Sequence, residues 1–425
     1  MSRNKLTAVR GVRDILPEEA RNWRNVEELA RDIFERFGYG EIRIPLFEKT
    51  ELFSRGIGGT TDIVTKEMYT FEDKNGDSIT LRPEATASIC RAYVQNSLYA
   101  ETGLSKLFCI GPMFRYERPQ AGRYRQFHQI NAEALGTDDP ALDAEVILML
   151  MEFLGEAGLK NLSFQLNNIG DSECRPKYSE ALLAFLQKEV SSLDVEVTER
   201  IRRNPLRFLD SKDPAHSTII ASAPTIDTFW NDRCRRHFET LCNHLDRAGV
   251  CYEKNSALVR GLDYYCLTVF EVTSENLGAQ DAVCGGGRYD GLIEDLGGPP
   301  TPAIGFAIGL ERLLQLTETK DSSSEDQKPP IEIFIVALGK SAEQESFALA
   351  SDLRKKGLRT DLAFGGGSMK SQMKRADRSG ARYVLMVGED EISKGVVSLR
   401  DMTKSRQDEI SKEAIKTHLL SLLRP

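Results

Sequence analysis

The sequence is poor in histidine and has no long apolar run, and these shortages exclude several classes of protein. Its five histidines include no pair at a metal-binding spacing with a carboxylate as third ligand, which argues against a catalytic zinc site or a Ser-His-Asp triad. No run of about 18 apolar residues occurs, so we expect no transmembrane helix. The N-terminus lacks the apolar segment of a secretory signal, and we therefore expect a cytoplasmic protein.

Cysteine is present without the spacing of a metal site. None of the eight cysteines forms a CxxC pair, so neither a zinc ribbon nor a thioredoxin-like site is predicted. Most of them lie among apolar residues, which is typical of reduced, buried thiols in cytosolic proteins. We therefore predict no metal ion bound by side chains.

Positive charge is in deficit overall but is distributed unevenly. The 56 basic and 64 acidic residues give a formal net charge of −8, which disfavours binding of nucleic acid by the bulk field of the protein. Residues 331–425 contain 17 basic and 13 acidic residues, a net charge of +4, and the remainder therefore carries −12. A polyanionic partner would have to be held by local patches.

One stretch without large apolar residues divides the chain. Residues 317–330, TETKDSSSEDQKPP, end in two prolines and predict a linker. Before it, residues 1–316 begin with a helix predicted over 17–37. Its buried stripe is predicted to contain Trp23, Val26, Ala30, Ile33 and Phe37. Segments of alternating polarity follow at 107–113, 162–166 and 266–272. Alternation favours an antiparallel sheet covered on one face. The fold class predicted for this domain is α+β, with a more polar, mostly helical insertion at about 172–255.

The last 95 residues follow a different pattern. Residues 331–338 and 383–387 are nearly continuous apolar runs, separated by stretches of helical periodicity. Strands buried on both faces and alternating with helices indicate an α/β domain with a largely parallel sheet.

The densest candidate site is the segment 114–133. Arg115, Arg118, Arg123 and Arg125 fall within eleven residues, with aromatic residues between them. A strand–loop–strand hairpin would direct several guanidinium groups at one place, where they suit phosphate oxygens. A solvated hairpin with structural Arg–Glu pairs explains the composition about equally well.

Three further segments contain polar residues beside predicted strands or helices. Arg260 and Asp263 precede an apolar strand. They could lie at the rim of a pocket, or they could form an ion pair that stabilises a turn. Arg312 falls in the first turn of a predicted helix, where a cation is unfavourable unless an anion is bound. Glu84 and Thr86 could cap a helix or hold an ammonium group. Arginine side chains can position a substrate and stabilise negative charge, and both functions suit a transfer reaction at phosphorus.

Together these segments resemble the histidyl-tRNA synthetase family of class II aminoacyl-tRNA synthetases. Residues 10–17 are similar to its N-terminal signature before motif 1, residues 114–120 to motif 2 and residues 303–312 to motif 3. The sequences RGLDYY at 260–265 and GGGRYDG at 285–291 are similar to the two signatures particular to the histidine enzymes. The last domain is similar to their anticodon-binding domain.

The resemblance implies a role for each matching residue. Catalysis would depend on Arg260 and Arg115. The residues that would bind histidine are Glu84, Ala85, Thr86, Arg115, Gln129, Glu133, Arg260, Tyr264 and Tyr265. Those that would bind ATP are Arg115, Glu117, Arg123, Phe127 and Arg312. Residues Arg118 and Gln120 would face the acceptor end of the tRNA.

The resemblance also implies the reaction and the partners. The enzyme would activate L-histidine with Mg²⁺ and ATP, transfer it to the 3′ end of tRNA(His), and work as a homodimer through motif 1. A catalytically inactive paralogue that regulates a histidine-biosynthesis phosphoribosyltransferase is the main alternative. Such regulators lose the arginine signature and the last domain, whereas this chain has both. Relatives often carry cysteines near the stretch NPLR; residues 175–210 contain none, so no metal is expected in the insertion.

Overall fold

The computed structural model describes residues 5–424 apart from short gaps. The gaps are residues 60, 102, 120–121, 190–197, 199–200, 203, 212, 278–281, 319–330 and 405. The chain forms two compact units, Met1–Lys320 and Asp321–Pro425. Almost all of the predicted linker at 317–330 lies outside the described residues.

The first unit is built on an eight-stranded sheet with the strand order β1-β5-β6-β11-β10-β9-β7-β8. The neighbouring pairs from β5 to β7 are antiparallel, and only the outer pairs β1–β5 and β7–β8 are parallel. These strands are β1 Gly40–Glu41, β5 Ser105–Phe114, β6 Gln126–Leu135, β7 Ser163–Asn168, β8 Glu253–Lys254, β9 Cys266–Thr273, β10 Ala282–Arg288 and β11 Ala303–Gly309. A smaller sheet consists of β2 Phe47–Lys49, β3 Tyr69–Glu72 and β4 Ser78–Leu81.

Helices of the first unit pack against both faces of the large sheet. The helices of this unit are α1 Pro17–Arg36, α2 Thr50–Gly56, α3 Thr86–Gln95, α4 Pro140–Glu156, α5 Cys174–Glu189, α6 Ser217–Ser222, α7 Asp232–Arg247, α8 Leu292–Asp295 and α9 Leu310–Glu318. Pro17 occupies the first turn of α1, and Trp23, Ala30 and Ile33 are buried as the periodicity predicts. Phe34, which the predicted stripe omits, is fully buried, whereas Val26 and Phe37 are only partly buried.

The predicted insertion has two structurally different parts. One contains α5 and α6 and encloses a small core that includes Tyr178, Leu182 and Phe208. The other is α7, whose residues Phe238 and Leu241 pack into the main core beneath the sheet. Because α7 packs directly against the large sheet, only the part that contains α5 and α6 has a core of its own.

The second unit has a five-stranded sheet in the order β13-β12-β14-β15-β16. Its strands are β12 Ile333–Ala337, β13 Thr360–Leu362, β14 Tyr383–Val387, β15 Val396–Asp401 and β16 Arg406–Ser411. Its helices are α10 Lys340–Lys355, α11 Met369–Arg378, α12 Glu389–Lys394 and α13 Ile415–Leu423. Strands β12, β13 and β14 are parallel, but β15 and β16 form an antiparallel hairpin. Because β15 also runs antiparallel to β14, the sheet is mixed rather than largely parallel. The sequence pattern does not reveal β16, because this strand faces solvent and contains no continuous apolar run.

A fully buried ion pair joins the sheet to two helices of the first unit. The carboxylate of Asp143 on α4 accepts hydrogen bonds at 2.6–3.1 Å from the guanidinium of Arg288, the last residue of β10. Thr268 donates to the same carboxylate at 2.6 Å, and Nε2 of His237 on α7 lies 2.9 Å from it. Arg288 and Asp143 are both 0% exposed. This network fixes the strand on which the GGGRYDG signature begins.

We expect Arg288→Met to destabilise the first unit by about 3–5 kcal/mol, because it leaves the carboxylate of Asp143 buried without its cation. Calorimetric melting of the whole chain would show the transition of this unit shifted down by several degrees. Arg36→Ala is the control, since Arg36 pairs with Glu152 and Glu156 at the surface and exposed ion pairs contribute little to stability. Equal shifts for the two variants would contradict the prediction.

Candidate active site

A cavity of about 470 Å³ opens on the large sheet of the first unit. One wall comes from β6, where Phe127, Gln129, Asn131 and Glu133 lie two residues apart and therefore on one face. The strand order places β11 beside β6 and β10 beside β11. Side chains from segments far apart in sequence thus meet over the middle of the sheet.

Glycines on the neighbouring strands leave room for these side chains. Gly305 on β11 pairs with Glu133 on β6, and a Cβ atom at residue 305 would lie 1.7 Å from Oε2 of Glu133. Gly285 on β10 likewise leaves room for Arg260, because a Cβ atom at residue 285 would lie 2.2 Å from Nη2 of Arg260. The glycines are therefore needed for space beside two large polar groups.

Glu133 lies at the deepest part of the cavity and is completely buried. Its Oε1 accepts a hydrogen bond from Oγ1 of Thr86 at 2.7 Å, and its Oε2 accepts one from the hydroxyl of Tyr289. Burial raises the pKa of Glu133 to about 8, although both hydrogen bonds favour the charged form.

We expect this raised pKa to make stability depend on pH. Between about pH 4.5 and pH 8 the folded state retains a proton at Glu133 that the unfolded state has lost, so stability decreases as pH rises through this window. The slope has an upper limit of about 1.4 kcal/mol per pH unit. Glu133→Gln removes the titration, so its melting temperature relative to wild type should rise from pH 5 to pH 8. A difference independent of pH would refute the assignment.

Glu84 lies beside Thr86 at the start of α3. Its carboxylate accepts hydrogen bonds from the backbone N–H groups of Thr86 and Ala87 at 2.7 and 2.9 Å. Burial raises the pKa of Glu84, although these bonds and Arg115 oppose the shift. Glu84 therefore caps α3 and also lines the cavity. The side chain of Ala85 instead packs with Ile44 in an apolar cluster, so only its backbone remains available to a ligand.

Two acceptors of β6 have no hydrogen-bond partner within the described residues. Oε1 of Gln129 and Oδ1 of Asn131 are both buried and line the cavity. Buried polar atoms are normally satisfied, so these two call for a donor from a ligand. Gln129 was expected at the site, but Asn131 was not. The two-residue spacing of a strand between Gln129 and Glu133 is the sequence signal that would have revealed it.

Arg260 enters the cavity from the loop before β9 and pairs with the carboxylate of Glu271 on that strand. Tyr264 and Tyr265 follow it in the loop, with their ring centroids 4.7 Å apart, and the ring of Tyr264 lies 5.5 Å from that of Tyr289. Burial raises the pKa of Tyr265 to about 12, so its hydroxyl remains a hydrogen-bond donor. Glu271 and Tyr289 were not predicted as site residues, since neither pairing follows from local sequence.

Arginines gather at the open end of the cavity. Nε of Arg115 donates to the carbonyl of Pro83 at 2.9 Å, and its guanidinium lies 5.2 Å from the ring centroid of Phe127. Nη1 of Arg312 donates to the carbonyl of Ala282 at 2.7 Å. Burial lowers the pKa of Arg312, and the positive charge of Arg123 adds to this effect. Arg115 and Arg312 are bound only to neutral carbonyl groups in the contacts described, which suits an anionic ligand.

The remaining predicted residues are more dispersed. Glu117 pairs with Arg123 at 3.0 Å, and both line the cavity. Arg118 is exposed and lies outside the cavity lining. Gln120 lies outside the described residues. The composition allowed either structural Arg–Glu pairs or guanidinium groups directed at a ligand. The hairpin contains both, because Arg123 pairs with Glu117 and Arg115 lines the cavity.

A contact missed from the sequence joins the hairpin to the helix after β11. The carboxylate of Glu311 accepts hydrogen bonds from the backbone N–H of His128 at 3.0 Å. Nδ1 of the His128 ring also lies 3.0 Å from Oε1 of Glu311. The ring of His128 also meets Trp23 of α1 edge to face, with centroids 4.8 Å apart. These contacts fix the strand that carries Phe127 and the helix that carries Arg312 relative to each other.

An antiparallel sheet with an arginine-lined cavity and a separate α/β unit is the arrangement of a class II aminoacyl-tRNA synthetase. Residues 11–313 match the family model described as histidyl-tRNA synthetase, and residues 332–422 match the anticodon binding domain model. The chain belongs to the histidyl-tRNA synthetase family. This confirms both the family resemblance and the predicted fold class.

Individual relatives agree over nearly the whole length. A histidine–tRNA ligase of Syntrophotalea carbinolica is 46% identical over 419 residues, 99% of each chain. One from Desulfitobacterium hafniense is 48% identical over 402 residues, 94% of each chain. The apo crystal structure of Staphylococcus aureus histidyl-tRNA synthetase has a TM-score of 0.82 at 35% identity and covers 97% of this chain and 99% of its own. The prediction of an ATP-dependent aminoacyl-tRNA synthetase is confirmed.

Proposed function

We propose that this chain is a histidine–tRNA ligase that activates L-histidine with ATP and transfers it to the 3′ end of tRNA(His). The observation that carries the proposal is one cavity with two chemically different ends. The closed end contains the buried carboxyl of Glu133, held by Thr86 and Tyr289. The open end contains Arg115 and Arg312, and Arg260 lines the same cavity.

The closed end suits the side chain and the amino group of histidine. Glu133 and Tyr265 would take the two nitrogens of the imidazole, one as acceptor and one as donor. The amino group would meet Glu84, Thr86 and Gln129, and it would satisfy the unpartnered oxygen of Gln129. An amino acid without ring nitrogens would leave Glu133 buried without its ligand bonds. Such a penalty discriminates strongly against a substrate that lacks the hydrogen-bonding group.

The open end suits ATP. Arg115 would bind the α-phosphate, with Glu117 and Arg123 positioning the nucleotide, and adenine would lie between Phe127 and Arg312. Mg²⁺ would accompany ATP and neutralise charge on the departing pyrophosphate. Glu67 and Glu117 line this end, and burial together with the charge of Glu117 raises the pKa of Glu67. Carboxylate oxygens are hard ligands of the kind that Mg²⁺ prefers, and a cation would relieve the repulsion between the two carboxylates.

Two successive transfers follow from this arrangement. In the first, a carboxylate oxygen of histidine attacks the α-phosphorus of ATP, and the bond to pyrophosphate breaks as histidyl-adenylate forms. Arg260 would bridge the histidine carboxylate and the α-phosphate and stabilise the charge that develops there. In the second, the terminal ribose hydroxyl of tRNA attacks the acyl carbon, and AMP leaves.

The tRNA and a second copy of the chain are the proposed macromolecular partners. Exposed Arg118, together with Gln120, would face the acceptor end, while the second unit would bind the anticodon. In that unit Arg375 donates to the carbonyls of Phe364 and Gly366, so it braces a loop, and Lys374 and Arg378 are better placed to meet RNA. Exposed apolar residues at Leu6, Val9, Leu16, Phe47 and Phe71 suit the homodimer surface.

No helix among the described residues has the length and apolar character required to cross a membrane. We place the enzyme in the cytoplasm, where its tRNA substrate is found. A regulatory paralogue without catalysis is disfavoured because Arg115, Arg260 and Arg312 and the anticodon-binding domain are all present.

Charging of tRNA tests the proposal. The full chain, incubated with ATP, Mg²⁺ and radiolabelled histidine, should esterify a tRNA(His) transcript and leave a transcript for another amino acid uncharged. An enzyme that forms adenylate but charges neither transcript would refute the transfer step. A chain inactive in both steps would favour the regulator.

A further inference from the structure

A second group of metal-ligating side chains lies apart from the cavity lining. Asp171, Cys174 and Cys234 are buried, and their ligand atoms all lie within 4.8 Å of one another. Cys174 is the first residue of α5, and Cys234 is in the first turn of α7. The two cysteines are 60 residues apart in sequence, and their Sγ atoms lie 3.7 Å apart.

That separation is typical of two thiolates on one metal ion. With a Zn–S distance of about 2.3 Å and tetrahedral angles, two sulfur ligands lie about 3.8 Å apart. Asp171 precedes Cys174 by three residues, and Asn231 precedes Cys234 by the same interval. Both residues cap a helix: Oδ1 of Asp171 accepts a hydrogen bond from the N–H of Cys174 at 3.0 Å, and Oδ1 of Asn231 accepts one from the N–H of Cys234 at 2.9 Å. The two caps fix the helix starts that bring the cysteines together.

The charges around the cluster favour a cation. The carboxylate of Asp171 accepts hydrogen bonds at 3.0 Å from the backbone N–H groups of Glu173 and Cys174 and from Nδ2 of Asn231, which stabilise its negative charge. A divalent cation would compensate Asp171 and two thiolates, and the thiol protons would be released on binding.

We propose that Asp171, Cys174 and Cys234 bind one divalent cation of the zinc class, with water as the fourth ligand. Soft thiolate donors with one carboxylate favour zinc over magnesium or calcium. The proposal departs from the expectation of no metal in the insertion, which rested on the absence of cysteine from residues 175–210. The cluster was hidden because its cysteines come from two separate helices.

The position of the cluster gives the metal a structural role. Arg175, next to Cys174, donates through Nη1 to the carbonyls of Asp263 and Tyr265 at 3.2 and 2.7 Å. The loop that carries Tyr265 is thereby connected to the start of α5. A metal that joins α5 to α7 would hold this loop against the sheet scaffold, independently of whether substrates are bound.

Cobalt substitution tests the site without reference to activity. The full chain, reduced and dialysed against a chelator, is titrated with Co²⁺ and followed by absorption. We expect one equivalent to bind with sulfur-to-cobalt charge-transfer bands, and we expect the melting temperature to rise. Elemental analysis of the untreated protein should find close to one zinc per chain.

Serine variants identify the ligands. Cys174→Ser and Cys234→Ser should each lose at least half of the charge-transfer intensity, whereas Cys242→Ser should keep all of it. Cys242 is the matched control because it is buried on the same helix, α7. Absence of cobalt bands in the wild-type protein would overturn the proposal, as would isolation of a Cys174–Cys234 disulfide from the untreated protein. Should a serine variant fail to fold, Asp171→Asn tests the same site by a loss of affinity.

Discussion

Replacing Arg260 by alanine is expected to slow the formation of histidyl-adenylate by about 10²–10³-fold, while the affinity for ATP changes less than fivefold. The size follows from the loss of one charged donor that acts where negative charge develops. Arg260 lies beside Gly285 and is held by Glu271, so its guanidinium is already positioned before substrates bind. In the proposed arrangement, Arg115, Arg123 and Arg312 would still be present to bind the nucleotide.

Single-turnover adenylate formation and equilibrium ATP binding measure the two effects separately. Arg91→Ala is a matched control, because the side chains of Arg91 and Arg260 are 24% and 23% exposed and each pairs with a glutamate. Arg91 lies outside the cavity lining, so its variant should keep the wild-type rate. Equal losses of rate and of ATP affinity in Arg260→Ala would show that Arg260 only anchors substrate.

Replacing Gly305 by alanine is the second change with a large expected effect. The new Cβ atom would overlap Oε2 of Glu133 at 1.7 Å and the carbonyl oxygen of Ala132 at 2.5 Å. The carboxyl of Glu133 must then move out of its bonds with Thr86 and Tyr289. We expect kcat/KM for histidine in adenylate formation to fall at least 100-fold, corresponding to about 2.7 kcal/mol or more, and KM for ATP to change little.

Gly291→Ala is the control for this experiment. Gly291 has a backbone φ of −87°, and an added Cβ atom would meet nothing within 4 Å. Steady-state pyrophosphate exchange at varied histidine and varied ATP would separate the two substrates. If Gly305→Ala raised both KM values equally, displacement of Glu133 would not be the cause.

Local patterns in the sequence predict most of the scaffold. Alternating polarity identified the segments that became β5, β7 and β9, and apolar runs identified β12 and β14, because burial on one or both faces constrains residue type directly. The hairpin β15–β16 was missed, since the exposed strand β16 has no apolar pattern. The helix α7 was assigned to the insertion because its polar composition conceals its buried face, which includes Phe238 and Leu241.

Contacts between distant segments were beyond prediction from local patterns. Tyr289 donates to Glu133 across 156 residues, and Arg288 reaches Asp143 across 145. Nothing near either residue indicates its partner, because strand order alone brings them together. The candidate site could be named largely from the family motifs, whereas Asn131, Glu271 and Tyr289 required the positions of the strands.

The measurement that tests the proposed function most directly is ATP–pyrophosphate exchange by the full chain with each of the twenty amino acids in turn. Two different ends in one cavity predict rapid exchange with L-histidine and exchange at least 10³-fold slower with every other amino acid, because only an imidazole pairs with both Glu133 and Tyr265. Exchange of similar rate with another amino acid, or no exchange with any, would contradict the proposal.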